Sequence, residues 1–384
     1  MPGVSPRAGQ AVAAWQRVRA VLAQRRPELA RAAAGLYPDL SRAAGTDLLA
    51  RPEWLPAIPL ELDQVPLRWV SGAPAPAVAG TGEATAHVRP PSPAGGRYLT
   101  YSAAVADLDR PALFENRVCY RLLAARLATA PGLSLSRCGY FDAMNVGHAV
   151  AHELAAAWLA SPDGVSMAGL PLRALAGDPC DLPRRPAIVA TTTLTLRREA
   201  DGSASFILHW RDPAKVNHAG GVYQVMPVGI FQPLADTPAA VAGDLSLFKN
   251  IVRESSEEFL GTSESYAAGA GGFRYDQWPF YARLANARSA GKLAVHCAGV
   301  GVDPLTFASD ILTVAVFDAD LFDDVFAGLA SVNAEGRVFT ERGSVWIPFT
   351  GENIGRFTGG QEPMQPAGAA VLRLAWQHRR HLLG

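Results

Sequence analysis

The sequence predicts an α/β protein with a mixed α+β sheet in its C-terminal half and an α-rich N-terminal region. Hydrophobic residues make up 49% of the 384 residues and charged residues only 18%, which supplies a large core and excludes a mostly disordered chain. After residue 186, runs rich in β-branched and aromatic residues alternate with amphipathic segments, as in mixed α/β domains. Near the N-terminus, Ala, Leu and Val recur at helical spacing among Arg and Gln.

The length predicts two to three domains, at roughly 150 residues per domain. We expect a helical N-terminal region over residues 1–70 and an α+β middle region over 98–185. Residues 71–97 consist mainly of Gly, Ala, Pro, Ser and Thr, which cannot build a core, so they predict a linker or long loop. Residues 186–384 form the predicted α/β domain.

The elements follow from hydrophobic spacing and turn residues. In the first half, an amphipathic helix is predicted over 9–34 and another helix over 145–160, while 119–127 and 133–141 fit strands or short helices. In the second half, strands are predicted at 187–196, 203–210, 222–231, 293–302, 311–317 and 344–349, and helices at 245–261, 276–291, 320–330 and 366–383. Asp201-Gly202 between the first two of these strands predicts a hairpin turn.

The charge balance argues against a protein that holds a polyanion over its whole surface, because Lys+Arg and Asp+Glu are both 35. Residues 1–60 nevertheless carry eight Arg against four acidic residues. The basic opening helix is a candidate contact for nucleic acid, although a solvated helical face is the favoured interpretation. No second helix of a helix-turn-helix follows it.

The four cysteines, Cys119, Cys138, Cys180 and Cys297, never approach the C-x-x-C spacing of zinc or thiol-redox sites. They are expected to be buried or spare thiols in a reducing compartment. The opening residues lack a signal-peptide pattern, and no 18-residue stretch is free of charges and helix breakers. We therefore expect a cytoplasmic protein that does not associate with membranes.

Three glutamates give the strongest chemical signal. Glu254, Glu257 and Glu258 stand at i, i+3 and i+4 of a predicted helix, so their carboxylates share one face. Such a cluster is either solvated or held together by a divalent cation, and hard oxygen ligands suit Mg²⁺ or Mn²⁺. Arg253 next to them is placed to orient one carboxylate.

The segment Arg253-Glu254-Ser255-Ser256-Glu257-Glu258 followed by Gly261 resembles the core of the Nudix hydrolase box. The resemblance covers roughly residues 186–384, because a hairpin and a strand rich in Gly and Pro precede the helix and a final helix closes the chain. It implies a Nudix-like α/β/α sandwich, in which the three glutamates ligate metal.

The loop before this helix departs from the family pattern. The opening Gly and the first Glu of the box would fall at Ala239 and Leu245, although Gly243 and Asp244 lie nearby. Ser255 replaces an apolar residue, and Gly261 comes one position late.

The resemblance implies hydrolysis, with Mg²⁺ or Mn²⁺, of a nucleoside diphosphate linked to another group. Glu257 or Glu258 would act as metal ligand and as a candidate base. The candidate substrate-binding residues are Arg211, Lys215, His218, Tyr223 and Arg253, and the candidates for a further carboxylate are Glu341, Asp310 and Asp318. For Tyr223 and also Phe231, stacking on a nucleobase competes with an ordinary core position.

Two alternatives remain open. The alternative to the hydrolase is a nucleotide-derivative sensor or transcriptional-regulator-like protein that uses the same fold without turnover, and a homodimer is compatible with either function. His148 and His152, at i and i+4 beside Glu153, have zinc-binding spacing. They lack a third ligand and the H-E-x-x-H order, so a pair on a helix surface is favoured.

Overall fold

The computed structural model describes residues 6–111, 113–211, 221–262, 272–329, 336–340 and 343–384. Its helices are α1 (Pro6–Gln24), α2 (Arg26–Gly35), α3 (Tyr101–Leu108), α4 (Tyr140–Ala160), α5 (Pro171–Ala176), α6 (Pro238–Gly243), α7 (Leu247–Leu260), α8 (Pro279–Ser289), α9 (Ala319–Val325), α10 (Gly351–Thr358), α11 (Pro366–Gln377) and α12 (Arg379–Leu383). Its strands are β1 (Leu60–Glu61), β2 (Leu67–Trp69), β3 (Val118–Arg126), β4 (Gly132–Gly139), β5 (Val189–Arg198), β6 (Ala204–Phe206), β7 (Leu208–Arg211), β8 (Val222–Val225), β9 (Val228–Ile230), β10 (Leu293–Val302), β11 (Ser309–Asp318), β12 (Gly336–Val338) and β13 (Ile347–Pro348).

A mixed sheet with the order β1-β10-β11-β5-β6-β13 forms the centre of the fold. Strands β5 and β11 run parallel, β10 is antiparallel to β11, and β9 pairs with the first half of β5. Two three-stranded sheets, β12-β7-β8 and β2-β4-β3, accompany it. The α/β prediction with a mixed sheet and a helical N-terminus is confirmed.

Helices cover both faces of the main sheet. Because side chains alternate between the faces along each strand, a contact of one side chain with a helix shows which face that helix covers. On one face, Thr191 of β5 accepts a hydrogen bond from Asn250 of α7 at 2.9 Å. On the opposite face, His296 of β10 packs against His381 of α12 at 5.7 Å between ring centroids. Helix α11 also packs against β5, β10 and β11. The sheet therefore lies between two helical layers.

Among the described residues, one hydrophobic cluster extends from Trp15 to Leu382 and includes side chains from every predicted region. Strand β1, from the predicted N-terminal region, pairs with β10 of the main sheet through Leu60 and Cys297. Thus the predicted regions share a core and a sheet, and the domain division stays a prediction.

The β10–β11 loop, residues 303–308, is fastened to the N-terminal half by three buried arginines. Arg26 forms an ion pair with Asp303 at 2.7 Å. Arg173 donates to two successive loop carbonyls at 2.6 and 2.8 Å, and Arg185 donates to a third at 2.9 Å. Because a guanidinium presents five N–H donors in a fixed plane, it can hold several carbonyls at once.

Several predicted elements are interrupted. The helix expected over 9–34 divides at Arg25 into α1 and α2, because Pro27 has no N–H to donate and its ring crowds the carbonyl four residues earlier. The strand expected at 222–231 divides at Pro227 into β8 and β9, since proline cannot donate to a ladder. The strand expected at 203–210 divides at Ile207, and its halves join different sheets.

Other elements match their predictions. Helix α4 covers 145–160, α7 covers nearly all of 245–261, and β10 spans 293–302. Of the described residues in the predicted linker, only Glu83–Val88 form a helix, which is of the 3-10 type. No helix among the described residues has both the length and the apolarity required to cross a bilayer.

Candidate functional site

Helix α7 carries the three glutamates, and its sequence defines both of its ends. The Ser246 hydroxyl accepts a hydrogen bond from the Lys249 N–H at 3.4 Å and caps the first turn. Gly261 ends the helix in the left-handed conformation, at φ 65°, which glycine adopts without a Cβ penalty. The buried apolar side chains are Leu247, Phe248, Ile251, Val252 and Phe259. This apolar stripe fixes α7 on the sheet, so the rotation of the glutamates about the helix axis is also fixed.

The carboxylate of Glu254 lies directly against Gly229 of β9. A Cβ atom built on Gly229 would come closer than 3.0 Å to all three atoms of this carboxyl group, and real Cβ atoms essentially never come that close. A side chain at position 229 would therefore occupy the space that the carboxylate fills. Glycine fits at position 229 because it has no side chain that would displace the Glu254 carboxylate.

Glu258 is tied to the same strand, since its Oε1 accepts a hydrogen bond from the Val228 N–H at 2.9 Å. Its side chain is buried, whereas Glu254 and Glu257 are half-buried. The strand backbone at 228–229 thus meets two of the three glutamates. Glu257, between them in sequence, retains access to solvent.

Arg253 is buried and faces the protein backbone. Its Nη2 donates to the Gln232 carbonyl at 2.8 Å and to Asn250 Oδ1 at 3.0 Å. Asn250 in turn donates to the Thr191 hydroxyl at 2.9 Å. This chain of hydrogen bonds fastens α7 to the end of β9 and to β5, so Arg253 holds the helix that carries the glutamates.

The glutamates have the donor type that Mg²⁺ and Mn²⁺ prefer. In the part of the chain that the structure describes, no three His, Cys, Asp or Glu side chains are grouped closely enough to hold a metal ion. The observed arrangement therefore offers oxygen donors on one helical face, two of them at β9, without a closed three-ligand cluster.

Solved Nudix hydrolases are among the structures similar to this chain. The crystal structure of a Nudix hydrolase from Alicyclobacillus acidocaldarius matches 51% of this chain and 95% of that chain, with 16% identity and a TM-score of 0.29. The crystal structure of the Nudix hydrolase RenU from M. smegmatis matches 51% of this chain and 84% of that chain, with 16% identity and a TM-score of 0.21. No protein-family model and no curated protein matches the chain. Each of the two structural matches covers about half of this chain.

Tyr223, a predicted substrate contact, lies in an aromatic cluster on β8. Its ring is 4.8 Å from Trp210, 5.2 Å from Phe339 and 5.5 Å from Phe357, between centroids and in edge-to-face geometry. The ring therefore packs with other aromatic side chains, as in a core position, while remaining half-buried. Its stacking on a nucleobase stays a prediction.

Phe231, the other aromatic candidate, is fully buried and packs against Tyr120 at 4.4 Å between ring centroids. It therefore occupies the core position that was its alternative. Arg211 is half-buried at the end of β7, opposite Val222 of β8. Lys215, His218 and Glu341 lie outside the described residues.

The other candidate carboxylates are engaged elsewhere. Asp310 lies on the sheet face opposite to α7, where the Thr192 hydroxyl donates to its Oδ1 at 2.7 Å. Burial raises the pKa of Asp310 to about 7. Asp318 forms an ion pair with Arg198 at 2.7 Å. Asp310 is therefore separated from Glu254 by the sheet.

The pair expected on a helix surface, His148 and His152, is wrong in its placement. His152 is buried and contacts the Tyr101 hydroxyl at 3.1 Å through Nδ1, and burial lowers the pKa of both histidines to about 3. Glu153 accepts from the backbone N–H groups of Leu172 and Arg173 at 2.7 and 2.9 Å. These side chains join α4 to the elements around it.

Sequence reasoning missed Gly229. The family spacing placed the glycine of the box at position 239, but the glycine that contacts Glu254 lies on β9, before a longer connection to α7. The available signal was the Pro227-Val228-Gly229 segment at the end of a predicted strand, since glycine inside a strand often marks a close approach.

Proposed function

We propose that the chain is a Mg²⁺-dependent or Mn²⁺-dependent hydrolase of a nucleoside diphosphate linked to another group. The observation that supports this is the seating of Glu254 on Gly229, which brings the glutamate face of α7 to the strand that precedes it. A glycine at this point has a simple rationale if the carboxylate must occupy a fixed position. The resemblance of the α7 sequence to the Nudix box adds the reaction class.

In this proposal Glu254, Glu257 and Glu258 would hold the cation, which requires their carboxylates to come closer together than they are in the structure. When bound, it would offset the charge on the phosphates and lower the pKa of a bound water. The chain supplies the positions of these groups: the Val228 N–H orients Glu258, and Arg253 fixes the helix through the Gln232 carbonyl. Glu257, which is half-buried, is the proposed base.

The nucleotide part of the substrate would meet the β7–β8 region. Arg211 and Tyr223 flank the connection that contains Lys215 and His218. Guanidinium and ammonium groups suit phosphates, and an aromatic ring suits a base. Glu341, which lies outside the described residues, is proposed as a further carboxylate.

One observation favours a second candidate, a nucleotide-derivative sensor without turnover. Glu258 is buried and already bonded to the Val228 N–H, so it has a structural role that needs no metal. A protein of this class would keep the fold and the binding region but would release no product. In that case the basic α1 is the proposed contact with a nucleic acid or protein partner.

The two candidates are separated by a turnover screen of purified protein with Mg²⁺ or Mn²⁺. Nucleotide sugars, dinucleotide cofactors, ADP-ribose and nucleoside triphosphates are incubated with the protein, and released phosphate or monophosphate is measured. We expect turnover of at least one substrate class, and Glu257→Gln should reduce it by about 10²-fold or more.

Glu53→Gln is the matched control, because Glu53 is an exposed glutamate of the N-terminal half. It should leave turnover unchanged. The hydrolase proposal fails if no substrate is turned over and added metal does not change the thermal midpoint. Binding of a nucleotide without turnover would support the sensor instead.

A further inference from the structure

Two of the four cysteines are direct neighbours across a β-ladder. Cys119 of β3 and Cys138 of β4 are register partners in the antiparallel pair, and both are free thiols. Opposite residues of an antiparallel pair project to the same side of the sheet. This pairing could not be predicted from the sequence, because 18 residues separate the two cysteines.

The hydrogen-bond pattern places the two backbones at a distance that suits a disulfide. The Tyr140 N–H donates to the Arg117 carbonyl at 2.8 Å, while the Tyr120 N–H points away from β4, to the Phe231 carbonyl at 3.1 Å. By alternation, Cys119 and Cys138 form a hydrogen-bonded pair, whose Cα atoms lie about 5.5 Å apart. This Cα distance is within the roughly 4.4–6.8 Å that disulfides span. The Cβ atoms of such a pair lie about 5.5 Å apart, so they must approach by roughly 1 Å for the bond to form.

We propose that Cys119 and Cys138 form a reversible cross-strand disulfide when the protein meets hydrogen peroxide. Cys138, the half-buried member of the pair, reacts first: its sulfur takes one peroxide oxygen, the O–O bond breaks, and water leaves. The sulfur of Cys119 then displaces the hydroxyl of the resulting sulfenic acid, forming the S–S bond and a second water. The two thiols lose two hydrogen atoms in total, and one peroxide is reduced.

The environment of the pair makes this oxidation slow. Burial raises the pKa of both thiols well above the ordinary value, and the thiolate is the reactive form. The pair therefore responds to sustained peroxide and not to a brief exposure. Once formed, the disulfide removes two buried thiols from further oxidation.

The disulfide would also alter a contact that leads toward α7. The Cys119 Sγ lies 3.7 Å from the Gln232 Oε1, and the Gln232 carbonyl accepts the hydrogen bond from Arg253. Turning Sγ toward Cys138 removes the contact with the Gln232 side chain. Any effect of the disulfide on the glutamate site rests on the proposed function, whereas formation of the disulfide does not.

The test uses the full chain with Cys180 and Cys297 replaced by Ser, so that only the pair remains. Cys297 faces Thr313 and Leu60 across its strands, so it has no cysteine partner in the ladder. After prolonged treatment with peroxide, the protein is denatured and alkylated, and its mass is measured by mass spectrometry. We expect a mass lower by two hydrogen atoms, with no alkylation, and full recovery of both thiols with dithiothreitol.

The matched control adds Cys119→Ser to the same background. It should show oxygen addition or disulfide-linked dimers and never the loss of two hydrogen atoms within one chain. If the serine variants do not fold, peptide mapping of the oxidised natural chain gives the same answer. Trypsin cleaves after Arg117, Arg121 and Arg137, so the linked peptides begin at Val118 and Cys138. Two alkylatable thiols after peroxide, or oxygen addition alone, would overturn the proposal.

Discussion

Replacing Gly229 by Ala tests whether the glutamate face of α7 is seated on β9 as described. The new Cβ would lie closer than 3.0 Å to the Glu254 carboxyl group, and ordinary contact begins at 3.4 Å. The carboxyl group must therefore move by roughly 1 Å or more. A misplacement of that size at a reacting group can reduce turnover by about 10²-fold.

The effect on stability is small and has a definite sign. Overpacking costs about 1–3 kcal/mol, and the low end applies because Glu254 is a half-buried, flexible side chain. Against this, Ala in a strand is favoured over Gly by about 0.5–1 kcal/mol. We expect Gly229→Ala to lower the free energy of unfolding by up to about 1 kcal/mol in the natural chain and to raise it by about 0.5 kcal/mol when Glu254 is also Ala.

The measurement is a double-mutant cycle of the two substitutions, by urea unfolding followed by circular dichroism. A coupling energy of about 1–1.5 kcal/mol between positions 229 and 254 is expected. Gly355→Ala in α10 is the control, because a Cβ there meets no atom within 4 Å, and it should not couple to position 254. A coupling energy below about 0.5 kcal/mol for the Gly229 cycle would refute the described contact.

Three further substitutions test other parts of the structure. Arg173→Lys should lower the free energy of unfolding by roughly 3 kcal/mol, because the fully buried guanidinium holds several carbonyls; the exposed Arg17→Lys should change it by less than about 0.5 kcal/mol. Asp310, whose pKa is about 7 in the folded chain and about 3.9 when unfolded, contributes stability that is fully present below pH 4 and is lost as pH rises through 7. Asp310→Asn should remove this loss, by about 1.4 kcal/mol per unit of pKa difference, as seen in unfolding curves at pH 5 and pH 8. Gly301→Ala should cost about 1–3 kcal/mol, because a Cβ there would overlap the Leu48 side chain.

Each of these has a contrary result. Equal unfolding energies for the Arg173→Lys and Arg17→Lys variants would show that the buried arginine is not essential to the loop. An Asp310→Asn variant that keeps the pH dependence of the natural chain would assign that dependence to other groups. A Gly301→Ala variant as stable as the natural chain would show that the Leu48 side chain moves aside without lowering the free energy of unfolding.

The elements with strong local periodicity could be predicted from the sequence. Helix α7 and strand β10 follow from their apolar spacing and end residues, so their bounds agree with prediction to within about two residues. The divisions at Ile207 and Arg25 were missed, although Pro27 was a readable signal for the second. Nothing near Ile207 predicts a change of sheet, because strand pairing is decided by distant partners.

In the site too, local relations could be predicted from the sequence and contacts between separate elements could not. Glu254, Glu257 and Glu258 could be found because their relation is local, at helical spacing. The contact of Glu254 with Gly229 and the hydrogen bond of Arg253 to a backbone carbonyl connect separate elements. Backbone carbonyls leave no trace in a sequence, so the contact of Arg253 with the Gln232 carbonyl could not be predicted from it.

The arginine-held loop between β10 and β11 has a consequence for how the chain is made. Arg26, Arg173 and Arg185 leave the ribosome well before residues 303–308, so their guanidinium groups have no loop carbonyls to bind during most of synthesis. The first half of the nascent chain therefore cannot bury these three arginines with their final partners until the loop emerges, and their guanidinium groups stay solvated until then. Release from the ribosome before residue 308 should therefore leave an incompletely packed, protease-sensitive chain, and final closure of the core should be a late event of synthesis.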